Sequence, residues 1–162
     1  MLRHIMCSPR WRYDPQEEAA LTQYYEMGDQ TLWNPSHGAS RLFMSQVGVY
    51  QAELGLPSGI GPMEADQCQI DPVMFKAFID ALLAWHRRTS HGVMAALSEG
   101  FVATVLVLAE RADMGVKWPS TGFVEAGSFR GVQVPTAQES TEEAWAAAIQ
   151  QKSHELGRFM AV

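Results

Sequence analysis

FVATVLVLA, from Phe101 to Ala109, constrains this chain more than any other stretch, because apart from Thr104 every residue in it is apolar. It continues a repeat of Val93, Met94, Leu97, Phe101, Val105 and Leu108, spaced by threes and fours as on one helical face. The helix-like flanks, ALSEG and ERAD, predict a helix buried all round. The competing assignment is a buried strand, since three valines and a threonine favour the pleated conformation. Either form needs apolar neighbours on all sides, and the rest of the chain must supply them.

The neighbours read as further helices. Asp14-Pro15-Gln16-Glu17 carries a cap, a proline at the first helical position and a capping-box glutamate. Leu21, Tyr24 and Tyr25 follow as a short apolar face that ends near Gly28. After the turn Trp33-Asn34-Pro35-Ser36, with Ser36 or Ser40 as cap, Phe43, Val47, Tyr50 and Leu54 form one helical face stopped by Gly55 and Pro57. Asp71-Pro72 starts the next helix. Phe75, Ile79, Leu82 and His86 line one side of it, Met74, Phe78 and Trp85 the adjacent side, and Lys76, Asp80 and Arg87 the wet side. A loop is expected at 55–70 and a linker from Trp118-Pro119 to about residue 139. Ser140-Thr141-Glu142-Glu143 is a capping box for a last helix carrying Trp145, Ala148, Ile149, Leu156 and Phe159.

The expected fold is therefore mostly α, a compact bundle of about four to five helices with helical arms at both ends. The divisions are an N-terminal helical arm at 1–26, a central helical domain at 27–118, and a linker plus C-terminal helix at 119–162. A chain of 162 residues is long enough for one core.

Composition narrows the function classes. A net charge of −6 with no basic cluster argues against nucleic acid as partner. No apolar run approaches the roughly 18 residues of a membrane span, and MLRHIMCSPRWRYDPQEE lacks the apolar stretch of a signal peptide. Cys7 and Cys68 are too few and too far apart for a disulfide framework, which makes the cytoplasm the expected location.

LWNPS, SRLF, LGLPSGIGPMEAD, a helix ending near SH, and GFVATVLVLAERA together resemble a family of small actinobacterial proteins known only as a domain of unknown function. The resemblance runs from about Met27 to Trp118. It implies a helical common unit with the two arms as additions, brings no activity or cofactor, and makes Met27 an alternative start.

Three groups of residues hold candidate chemistry. In AWHRRTSHG, His86 and His91 are metal-type ligands at a spacing of five, which is not the i, i+4 pair of one helical face. Arg87 and Arg88, with Thr89 and Ser90, suit a phosphate at a helix start, but a helix end followed by a capped helix start accounts for them more simply, with no ligand required. A polar cluster of Arg41, His86, His91 and Glu99 is one candidate site, with Trp33, Tyr50, Trp85 and Met94 as the lining of a pocket between central helices. In the 55–70 loop, Glu64 and Asp66 are a candidate acid–base pair or charged contact, next to glycines that match neither a P-loop nor a dinucleotide fingerprint. No GxSxG occurs, no cysteine has a meaningful histidine partner, and no metal or cofactor motif is present.

Without a catalytic motif, the sequence points to a non-catalytic acidic protein that binds another protein, as an immunity or regulatory partner does, or a second copy of itself. The alternative is a small enzyme or small-molecule-binding domain of specialised metabolism, with its pocket between the central helices.

Overall fold

The computed structural model describes residues 22–89, 91–118 and 137–162, the side chains of the last span from residue 144 onward. The capped start at Asp14, Cys7, the cap Ser90 and the linker 119–136 lie outside the described residues. The order is β1 (Tyr24–Met27), β2 (Gln30–Trp33), α1 (His37–Leu54), β3 (Gln67–Gln69), α2 (Pro72–Arg88), α3 (Gly92–Arg111) and α4 (Ala137–Gly157). The protein is mostly α with a small three-stranded sheet.

That sheet corrects the helix expected to end near Gly28. β1 pairs antiparallel with β2 and parallel with β3, in the order β2-β1-β3. Met27 faces Gln30 across a Gly28-Asp29 turn, and Gly28 has φ +60°. Two runs separated by Gly-Asp form a hairpin signal, and tyrosine, threonine and tryptophan favour strands over helices. Tyr25, Leu32, Trp33 and Cys68 point into the core.

Residues 101–109 are helical. From Phe101 to Ala109 all but Thr104 are buried, and Thr104 satisfies its hydroxyl on the Gly100 carbonyl. The front of the same helix departs from expectation: Val93, Met94 and Leu97 are exposed, because the first turns of α3 are less covered than the middle. The expectation that no stretch reaches spanning length also needs correction. Gly92–Arg111 is long and apolar enough to cross a membrane by length and composition alone, although half of that window is buried in the fold.

Ser36 caps α1 through Ala39 N–H, and Gly55 ends it at φ +66°. The predicted face is the observed one, with Phe43, Val47 and Tyr50 buried and Leu54 packed against the core. Asp71 Oδ1 accepts Met74 N–H at 2.8 Å to start α2 behind Pro72. At the other end Thr89 closes α2, its N–H and hydroxyl both donating to the Trp85 carbonyl. His91, not Thr89, then stands at the N-cap of α3, with no side-chain cap bond. α4 begins at Ala137, ahead of the Ser140–Glu143 box, and packs along α3. Arg111, at the end of α3, ties the parts together by donating to the carbonyls of Leu32, Gly157 and Met160.

Candidate functional site

Tyr25, Trp33, Phe43, Phe101, Tyr50 and Trp85 form a continuous series of ring contacts from the sheet to the end of α2. Trp33 stands at the buried sheet end, stacked on Tyr25 at 5.3 Å. Tyr50 stacks on Phe101 at 4.4 Å and meets Trp85 edge-on at 5.6 Å. Of the four aromatic and methionine residues expected to share a pocket, Tyr50, Trp85 and Met94 do so, and Trp33 does not. Their groove of about 240 Å³ is completed by Val49, Glu53 and Leu97.

Three helices build this groove. α1 presents Val49, Tyr50 and Glu53 within one turn, because residues three and four apart share a helical face. α2 contributes Trp85 from its last turn, and the start of α3 contributes Met94 and Leu97. Trp85 Nε1 donates to Glu53 Oε1 at 3.2 Å, joining α2 to α1 across the groove. Val49 is 63% exposed and Leu97 73%. Burial pushes the Tyr50 hydroxyl above its ordinary range; its hydrogen bond with Ser98 opposes this and the Glu53 charge adds to it. Leu97 belongs to the expected helical face of α3, but it, Val49 and Glu53 are not among the lining residues expected from the sequence. The 49–50–53 spacing on α1 was available as a signal, but the exposure of Leu97 was not.

The expected polar cluster is dispersed among different jobs. His86 is buried one residue beyond Trp85: its Nδ1 accepts the Trp145 indole N–H at 3.1 Å, and its Nε2 faces the Ala95 carbonyl at 3.3 Å. The network therefore assigns the ring proton to Nε2, and both nitrogens are occupied in tying α2 to α4 and α3. His91 is exposed at its N-cap, Arg41 is exposed on α1, and Glu99 pairs with Lys152 of α4 at 3.2 Å. No group of three or more His, Cys, Asp or Glu among the described residues is placed to hold a metal ion.

The GIGPMEAD segment proves to be a hairpin that packs on the start of α2. Ile60 bridges Ile70, Gly61 N–H donates to the Gln69 carbonyl, and Glu64 and Gln67 exchange backbone bonds around Ala65-Asp66. Both turn residues are left-handed, at φ 47° and 64°, the signature of a tight primed turn. Asp66 accepts Gln23 Nε2 at 3.4 Å through its carboxylate and Tyr24 N–H at 2.8 Å through its carbonyl, whereas Glu64 is exposed beside it. The glycines serve close approach: a Cβ on Gly59, at φ +75°, would lie 2.5 Å from Phe75 N.

A second recess runs between α3 and α4. Its parts, about 370 and 560 Å³, share Glu110, Ser153 and His154 and open to solvent. One part has Leu106, Met114, Val116 and Trp118, and the other Arg111 and Arg158. His154 Nε2 lies 3.9 Å from Glu110 Oε1.

No curated protein and no solved structure matches the chain. A family does match, and its span reaches beyond the 27–118 unit to take in α4, whose Trp145, Ile149 and Ser153 pack against the rest. The chain belongs to the family of unknown function DUF6086, matched over residues 21–162.

Proposed function

We propose that this protein is a non-catalytic binding protein that recognises another protein, as an immunity or regulatory partner does, through the groove between α1, α2 and α3. The observation that carries this reading is the exposure of Val49, Met94 and Leu97 together around the part-buried Trp85 in one groove, whereas most other large apolar side chains among the described residues are buried or half-buried. Contiguous apolar surface ringed by polar residues marks interaction sites, and aromatic anchors contribute most of the binding energy. A photo-cross-linking residue placed at Val49 in native cells is expected to capture one discrete protein. The same residue at Val73, exposed about 18 Å away along α2 from Trp85, is expected to capture none. Equal capture from both positions, or none from Val49, contradicts the reading.

A second reading is a small-molecule-binding domain or small enzyme. It draws support from the α3–α4 recess, where an apolar end meets a polar one at volumes within the range of ligand sites. Native mass spectrometry of protein purified from its own host tests it. A stoichiometric small molecule that His154→Ala or Trp118→Ala releases supports it, and an unliganded mass counts against it.

A further inference from the structure

The α1–α2–α3 groove is chemically lopsided. Glu53 is the one charged side chain among its six lining residues. It lies in the last turn of α1, where the helix carbonyls make a negative end, and no basic residue in that turn offsets it. The Trp85 indole N–H holds one carboxylate oxygen at 3.2 Å, and a carboxylate accepts several donors at once. The edge-to-face Tyr50 and Trp85 rings add π surface of the kind that attracts a cation. A net charge of −6 draws basic partners from further away. The groove, at about 240 Å³, falls short of the roughly 300 Å³ where drug-sized sites begin, and fits one or two side chains instead.

Building on the binding reading above, we infer that the occupant is a segment of a partner protein that inserts one apolar side chain beside Trp85 and sets an arginine or lysine against Glu53. Val49, Met94 and Leu97 take the apolar anchor, with methionine adapting to its shape. The guanidinium or ammonium group meets the Glu53 carboxylate and the π face of a neighbouring ring. Arginine suits the position better, since its planar fork donates to a carboxylate and stacks on an aromatic ring at once.

Short random peptides displayed on phage and selected against the full chain test this. Enriched peptides are expected to pair an aromatic or aliphatic residue with Arg or Lys and to lose binding to Leu97→Glu. They are expected to bind Glu53→Gln about two- to fivefold more weakly, the range of an exposed ion pair, and to weaken as salt is raised. Val49→Glu, on the facing helix, repeats the Leu97 readout independently, and thermal unfolding of each variant confirms the fold. Neutral or acidic peptides that still need Leu97 overturn the inference and leave the groove reading standing. Peptides indifferent to Leu97→Glu and Val49→Glu overturn both. Failure to enrich any peptide overturns the inference, as does a concentration-dependent dimer that Leu97→Glu dissolves, since a second copy is then the occupant.

Discussion

The two ends of α2 carry the two segments that stand out in the sequence, and they are built in opposite ways. At the first end the GIGPMEAD hairpin presses its backbone onto the helix start. Asp71 caps Met74, its own N–H donates to the Gly59 carbonyl, and Cys68 donates to the Gly61 carbonyl. At the last end, AWHRRTSHG leaves Trp85 half in a groove with exposed Leu97 and Val49, while His86 beside it is sealed between Trp145 and Ala95. The first end is closed by fit and the second stays open beside a locked residue. The lesson is that glycine and carboxylate density marked packing, while the groove proposed to bind a partner is apolar and carries no motif.

The contrast breaks most sharply at Gly59. In Gly59→Ala the new Cβ sits 2.8 Å from the Asp71 carbonyl and 2.5 Å from Phe75 N, at a positive φ. Strain and overpacking together are expected to cost about 3 kcal/mol, measured by urea unfolding. Wild-type stability in this variant would mean that the hairpin does not seat on α2.

Alkaline pH tests the same side. Burial pushes the Tyr25 hydroxyl up to about 12, an effect the Ser40 hydrogen bond partly offsets and Cys68 slightly increases. Burial also pushes the Cys68 thiol up to about 11, against a smaller lowering by the Gly61 backbone. Both groups keep their protons longer when folded. Their contribution is therefore fully present below pH 9 and declines as the unfolded chain ionises. It is lost once pH passes through the raised values. Thermal unfolding between pH 8 and 12 (near the ordinary and raised values) should show melting temperature falling above about 9, less steeply in Tyr25→Phe. A flat profile contradicts the burial of both groups.

At the other end, Trp145→Phe keeps the ring but removes the N–H donated to His86 Nδ1. Leaving a buried acceptor unpaired is expected to cost about 1–2 kcal/mol. A double-mutant cycle with His86→Leu checks that the loss is specific to this pair, and additive effects would refute the coupling. Asp71→Ala removes one helix cap and is expected to cost about 1 kcal/mol, read by the same unfolding assay.

Caps and apolar spacing located α1, α2 and α3 because local hydrogen bonds and helical periodicity are written in adjacent residues. Ser36, Asp71 and Gly55 stand where their chemistry requires. The sheet was missed at Tyr24–Trp33: the Gly28-Asp29 turn was a local hairpin signal, but β1 also pairs with Gln67–Gln69, over forty residues away, which adjacent residues do not encode. His86 was legible as bordering the apolar side, but its partner Trp145 lies 59 residues further on. For the groove, Tyr50, Trp85 and Met94 could be named, whereas Val49 and Leu97 read as ordinary helix positions until their exposure was seen. Exposure depends on where neighbouring elements stop, and helical periodicity does not encode that.

The smallest effect on stability tests the central claim most directly. Leu97 is 73% exposed, so Leu97→Glu is expected to change unfolding free energy by no more than about 0.5 kcal/mol. The decisive measurement is photo-cross-linking from Val49 with Leu97 intact and with Leu97→Glu. The account predicts a captured partner in the first protein and none in the second, with both equally stable. Undiminished capture in Leu97→Glu would show that the groove is not where the partner binds.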